Sequence, residues 1–146
     1  MSKLTYHLKV VSRYSRLFKN ELLQPLGLVN REAEIIMSIR RKPGRSQDDI
    51  AEDLLINKSS VARCLASMEE RGLVVRTVSP ADRRVTLVDL SEKAEALVRQ
   101  IREVNEKWSE FVTDGLTEEE QAVFLRILEN VSVRAHDATV GRRKKL

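Results

Sequence analysis

Residues 79–87 read SPADRRVTL. One aspartate and two arginines, Asp82, Arg83 and Arg84, lie where a turn-forming run gives way to β-branched residues. A guanidinium carries its charge at any accessible pH and presents a planar fork of donors to a phosphate or a base edge. A carboxylate two residues away can aim that fork, and can also accept turn N–H groups. A solvated turn needs charge too, so the neighbouring sequence must decide between the two readings. Upstream, Lys58, Ser59, Ser60, Ala62, Arg63 and Ser67 form a second cluster of small polar and basic residues. Lysine and arginine match the acceptors of guanine, serine suits several base edges, and an alanine methyl can touch thymine.

Catalytic constellations are missing. The two histidines, His7 and His136, stand near opposite ends with no acidic neighbour at metal-ligand spacing, and HExxH does not occur. There is no glycine-rich phosphate loop, and no cysteine and histidine are paired in sequence. No catalytic residue, cofactor or metal is therefore expected, and His7 reads as a satisfied polar side chain. The single cysteine, Cys64, excludes an internal disulfide and fits a reducing cytoplasm.

The chain has 146 residues, within the size of one domain, with 42% apolar and 33% charged residues. No apolar run approaches the roughly 18 residues that span a bilayer, and the first residues lack the pattern of a secretory signal. A cytoplasmic protein without a membrane partner is expected. The net charge is +4, which admits a polyanionic partner without requiring one. Aromatics make up only 4%, against readers of single strands that work by base stacking. The closing run VGRRKKL reads as a solvated end.

Hydrophobic spacing gives the elements that must position the two clusters. Leu4, Leu8, Val11, Phe18 and Leu22 predict a helix over 4–23, ended by Pro25 and Gly27. Asn30 should cap a second helix, with Glu32 and Glu34 in its first turn, and Pro43 and Gly44 break it. Ser46 opens a short third helix with Asp49 as capping-box partner and Ile50, Ala51, Leu54 and Leu55 as its apolar face. Asn57 caps a fourth, running to Arg71 and stopped by Gly72. Its stripe of Val61, Cys64, Leu65 and Met68 should be buried, which turns the polar cluster outward. At Leu73 the period changes, and 73–78 and 84–90 predict a two-stranded hairpin. Ser91 caps a continuous helix over about 92–113, with Ala94, Leu97, Ile101, Val104, Trp108 and Val112 on its apolar side. Thr117 and Glu120 form a capping box for a last helix carrying Val123, Phe124, Ile127, Leu128 and Val131.

The order predicts a mainly α chain with a small β-hairpin, a winged helix-turn-helix flanked by N- and C-terminal helices. A helix-turn-helix lays its second helix in the major groove of DNA, where bulk would hold it off the groove floor. The adjoining hairpin then lies over the minor groove, whose narrow A·T-rich form stabilises an inserted arginine. Trp108, Phe111 and Val112, with Leu4, Leu8 and Val11, exceed what a small winged domain can cover. Either a homodimer or an intrachain bundle would bury them.

The stretch from Ser46 to Ser91 resembles the MarR (multiple antibiotic resistance regulator) family of bacterial transcription factors. Asp82-x-Arg84, five residues, then Leu90-Ser91 is similar to the family's wing signature, with serine where threonine is commoner. LASMEERGLVVR (65–76) is similar to its helix end and first wing strand. The resemblance implies one domain over 1–146, with 30–91 as the DNA-binding region and 1–29 and 92–146 as interlaced dimerisation helices. It also implies a homodimer on a pseudo-palindromic double-stranded operator, usually a repressor released by a small-molecule effector or by oxidation. On that pattern Arg84 enters the minor groove, Asp82 braces it and Arg83 lies nearer phosphate. Tyr14, Trp108 and Arg13 are candidates to line an effector cleft. Two alternatives remain: a winged helix used only to bind proteins, and thiol-based sensing through Cys64. Against the first stand the wing arginine and the small polar face of the fourth helix, while residues 40–84, with ten Lys/Arg and seven Asp/Glu, show only a modest basic bias.

Overall fold

The computed structural model describes residues 1–143, with side chains through residue 139; the basic run at 140–146 lies outside the described side chains. Contacts divide the chain into one unit spanning Met1–Trp108 and a second that begins at Ser109.

In the first unit, helix α1 (Lys3–Leu23) is capped by Ser2, and a short 3-10 turn over Gln24–Leu26 ends at Gly27 in the left-handed region. Helix α2 is Asn30–Arg41. Its N-cap is Val29, one residue before the expected Asn30, and the Glu32 carboxylate accepts the Val29 N–H at 3.1 Å. Asn30 is instead buried, its backbone N–H donating to Asn20 Oδ1 of α1. That long-range partner is invisible to a local capping rule. Of the two acidic residues placed in the first turn, only Glu32 lies there.

Helices α3 (Gln47–Asp53) and α4 (Lys58–Glu70) form the helix-turn-helix. Ser46 caps α3 by accepting the Asp49 N–H at 3.0 Å. Ile50 and Ala51 are buried as expected, but Leu55 is 87% exposed. The reason is the turn. Leu55 N–H donates to Glu52 O and Ile56 N–H to Ala51 O, a Schellman closure that puts Leu55 in the left-handed region with φ 56°. The same pair of bonds closes α4, Gly72 N–H donating to Glu69 O and Leu73 N–H to Met68 O, and glycine takes the left-handed position without Cβ strain.

The expected two-stranded hairpin is part of a three-stranded antiparallel sheet in the order β1-β3-β2, with β1 Arg45–Ser46, β2 Val74–Val78 and β3 Thr86–Leu90. Strand β1 is too short to show alternation, and pairing with the centre of β3 (Arg45 opposite Val88, Ser46 opposite Leu87) creates it. Both wing strands start later than expected, leaving Arg84 in the turn. The expected continuous helix over 92–113 is two helices, α5 (Glu92–Glu95) and α6 (Val98–Val112). Ser91 caps the first, accepting the Ala94 N–H. No glycine or proline breaks the run. At the junction Leu97 N–H donates to Ala94 O, an i→i−3 bond that tightens the turn.

The core of this unit joins Ile35, Ile36 and Ile39 of α2, Ile50, Val61, Leu65 and Met68 of the helix-turn-helix, Val88 of the sheet and Ile101 of α6, each at most 1% exposed. Three elements are also tied by charge. Asp53 accepts from Ser38 Oγ at 2.7 Å, Arg41 Nη2 at 2.7 Å and Arg45 Nη1 at 2.9 Å. The Ser38 hydroxyl, aided by the two guanidiniums and opposed by burial, holds its carboxyl below the usual range. In the second unit Thr117 and Glu120 make the expected reciprocal capping box for α7 (Glu118–Arg143). Val123, Phe124, Ile127 and Leu128 are exposed, as is Val112, expected on the buried side of α6.

Two outcomes are expected. Leu55→Gly should raise stability by about 0.5–1 kcal/mol in urea unfolding, because relief of left-handed strain outweighs the added chain entropy; a loss would mean the leucine is covered in the native assembly. Asp53, with its folded pKa lowered, stabilises the fold above its unfolded pKa of about 3.9, and that contribution vanishes as pH falls through the folded value. Asp53→Asn should therefore unfold more easily than the parent near neutral pH, the gap closing below about pH 4.

Candidate nucleic-acid interface

The start of α4 is built by Asn57. Its Oδ1 accepts the Ser60 N–H at 2.7 Å and the Ser59 hydroxyl at 2.9 Å, satisfying an orphan donor of the first turn. Val61, Leu65 and Met68 are buried on one side. Lys58, Ser59, Arg63 and Ser67 are consequently exposed, and Ser60 and Ala62 half-buried at the edge of the same face. The structure thus brings together all six helix residues singled out in the sequence. They are not idle. Lys58 Nζ donates to Asp48 Oδ2 of α3 at 2.9 Å, and Arg63 Nη2 reaches Ser60 Oγ at 3.3 Å.

The wing is held to this helix by Arg76. Its backbone N–H donates to Glu69 Oε2 of α4 at 3.0 Å, its Nη2 to Glu69 Oε1 at 3.3 Å and its Nη1 to Gln47 Oε1 of α3 at 3.3 Å. Glu69 accordingly has its carboxyl below the usual range. Sequence reasoning missed this clamp, although a signal was present. Arg76 stands two residues after Val74, on the inward side of a strand, where a cation needs a partner.

At the wing tip, Ser79 N–H donates to Val85 O at 2.8 Å and Val85 N–H to Asp82 O at 3.0 Å, closing the turn. Both Asp82 oxygens then face Arg84. Oδ1 accepts from the Arg84 backbone N–H at 3.0 Å and from Nε at 3.1 Å, and Oδ2 accepts from Nη2 at 3.0 Å. The Arg84 side chain nevertheless stays 90% exposed. Its guanidinium and backbone N–H lower the Asp82 pKa, and Asp82 in turn raises that of Arg84. The paired state is thereby the charged state of both residues. Arg83 is exposed and makes no ion pair among the described residues.

Cys64, expected on the buried stripe, is half-buried, with Sγ 3.9 Å from Met68 Sδ. Burial, then the charge of Glu32, push its thiol pKa up. Of the three candidates for an effector cleft, Arg13 lines an open groove between α1 and the helix-turn-helix. Tyr14 and Trp108 do not, and Trp108 packs on Phe18 at a centroid distance of 5.5 Å. No cluster able to hold a metal ion occurs among the described residues, and no helix is long and apolar enough to cross a membrane.

Comparison with known proteins agrees with this architecture. A family model described as MarR family matches residues 26–85, from the 3-10 turn through the wing tip. A crystal structure of MarR superposes with a TM-score of 0.81 at 27% identity, covering 92% of this chain and 98% of that one. A cysteine-to-serine mutant of MarR from E. coli, complexed with operator DNA, gives 0.81 at 25% identity, covering 88% and 92%. The transcriptional regulator SlyA shares the fold, at 0.87 and 18% identity over 94% and 96%. With a MarR-family sequence pattern across residues 26–85 and the fold of MarR along most of its length, the chain is similar to the MarR family of transcriptional regulators.

Proposed function

We propose that the protein regulates transcription as a homodimer bound to a pseudo-palindromic operator in double-stranded DNA, with α4 in the major groove and the wing over the minor groove. The observation that carries this reading is the wing tip. A guanidinium oriented by two carboxylate oxygens yet 90% exposed has its direction fixed without its outer surface being covered, as an inserted arginine requires. Arg84 is the minor-groove residue, Asp82 its brace and Arg83 a phosphate contact. Lys58, Ser59, Ser60, Ala62, Arg63 and Ser67 face the major groove, with Arg63 reading a base. The operator complex of the related E. coli protein supports a DNA duplex as the partner.

The domain reading follows: 1–146 as one MarR-type domain, 30–91 binding DNA, 1–29 and 92–146 dimerising. Leu4, Leu8, Val11 and Leu17 of α1 are 43–62% exposed, and α7 carries its own exposed Val123, Phe124, Ile127 and Leu128. Two-fold symmetry would cover such faces with their own copies and set half-sites roughly 10 bp apart. Repression with release by a small molecule follows the family's pattern. An open cleft of about 910 Å³, whose walls include Leu8, Leu54, Leu55, Arg13, Arg16 and Arg31, suits an apolar ligand bearing negative charge. Such a regulator acts in the cytoplasm and performs no catalysis.

A redox reading through Cys64 is disfavoured, because a raised thiol pKa suppresses the reactive thiolate. Cys64→Ser should leave any peroxide response of operator binding unchanged and lower stability slightly; loss of an existing response would revive thiol sensing.

The wing-tip reading is tested by titrating operator DNA with the parent, Asp82→Ala, Arg84→Ala and the double variant. Simple electrostatics predicts that removing Asp82 tightens binding to a polyanion. The brace reading predicts weaker binding, and little further loss when Asp82→Ala is added to Arg84→Ala, since the pair acts as one unit. The Arg84→Ala deficit should be largest on operators with A·T-rich flanks. Tighter binding by Asp82→Ala, or fully additive losses, would reduce the tip to a solvated turn. Absence of salt-dependent duplex binding by the parent would favour a winged helix that serves only protein contacts.

A further inference from the structure

The charge of the winged region is largely cancelled within the chain. Of the ten Lys/Arg in residues 40–84, seven sit in ion pairs, with Arg40, Arg41, Arg45, Lys58, Arg71, Arg76 and Arg84 each facing a carboxylate. Lys42, Arg63 and Arg83 make no ion pair among the described residues. Most of the pairs have an evident structural task. Arg41 and Arg45 knit α2 and β1 to α3 through Asp53, Arg71 ties α4 to Glu32 and Gly27 O, and Arg76 clamps the wing.

The pair between Lys58 and Asp48 differs. Both side chains are mostly exposed, at 73% and 66%. Neither is needed to hold α3 on α4, which Ile50, Val61 and Leu65 already do from the core. The α3 cap comes from Ser46 and the α4 cap from Asn57. An exposed pair of this kind is weak and exchanges readily for another partner. Its lysine is the first residue of the proposed recognition helix, where a DNA phosphate would be the competing anion.

We infer that Asp48 competes with DNA phosphate for Lys58 and so tempers the sequence-independent part of DNA binding. This rests on the DNA-binding reading given above. In the free protein the carboxylate occupies the ammonium. On DNA, Lys58 must leave Asp48 to meet a phosphate, and the stranded carboxylate then recruits a cation from solution. The exchange subtracts from the counterion release that drives sequence-independent binding. Contacts to base edges by Arg63 and the wing arginine are untouched, so operator and random DNA lose the same free energy, and the exchange lowers both affinities by one factor. Asp48 is a positioning residue in this scheme and touches no base.

The test is a salt titration of the full chain with operator and random-sequence duplexes, for the parent, Asp48→Asn, Lys58→Ala and the double variant. Asparagine keeps the shape and helix position of the side chain. Asp48→Asn should tighten random-duplex binding by about 1.5- to 5-fold per subunit, the range of an exposed ion pair. It should also steepen the salt dependence, by less than about one unit per subunit, and tighten operator binding by the same factor, leaving the ratio of operator to random affinity unchanged. In the Lys58→Ala background the same substitution should change little. Equal tightening with and without Lys58 would show that Asp48 merely repels DNA, and no tightening at all would show that Lys58 does not meet phosphate; either overturns the proposal. Failure of the parent to bind duplex DNA in a salt-dependent way would instead remove the reading on which it rests.

Discussion

The winged region is organised around one largely buried cation. Arg45 belongs to the two-residue strand β1, and its side chain is only 11% exposed. A guanidinium cannot leave water cheaply without a counter-charge and donors' partners in place. Asp53 supplies the charge, while Ser38 Oγ at 2.7 Å and the Asp49 carbonyl at 3.3 Å take further N–H groups. Nε alone is left without a partner. Because β1 pairs with β3, the site that satisfies Arg45 also fixes the base of the wing against α2 and α3. Arg76 repeats the device at the first wing strand, β2, using Glu69 and Gln47. The sheet is thus referenced twice, by charge, to the helices beneath it.

Those anchors explain how the wing can be short yet directed. Five residues per strand bury little apolar surface, and Val75 and Val78 of β2 are exposed. A free hairpin of this size would be marginal. Held at its base by Arg45 and along its edge by Arg76, it can present Asp82 and Arg84 at the tip in one geometry. The tip itself is closed by its own backbone bonds and by the carboxylate, so its order depends on no distant packing. The same economy appears at the start of α4, where one asparagine side chain serves two donors.

Much of this architecture is readable from residue types in order. The caps at Ser46, Asn57, Ser91 and Thr117, the stop at Gly72 and the change of period at Leu73 are local signals whose physics is completed within a few residues. So is the Asp82–Arg84 pair, whose partners are two residues apart. Failures came where a long-range partner decided. Asn30 yields the cap position to Val29 because Asn20 of another helix claims it. Strand β1 has no pattern of its own and exists through β3. Leu55 fits the apolar spacing of α3, yet the helix has already closed behind it.

The sequence by itself therefore determined the helices and wing strands other than β1 and the break between α5 and α6, which face of α4 is apolar, and that the wing tip carries a carboxylate next to a guanidinium, since each follows from periodicity or from neighbours in the chain. Tertiary structure alone decided which charges are spent within the fold. That Arg45, Arg71 and Arg76 are structural, that Lys58 meets Asp48, and that Arg63 and Arg83 meet no carboxylate among the described residues are facts of distance between elements. A one-dimensional pattern records the sign of a charge. The nearest opposite charge is a property of the packed chain, because ion pairing falls off within a few ångströms.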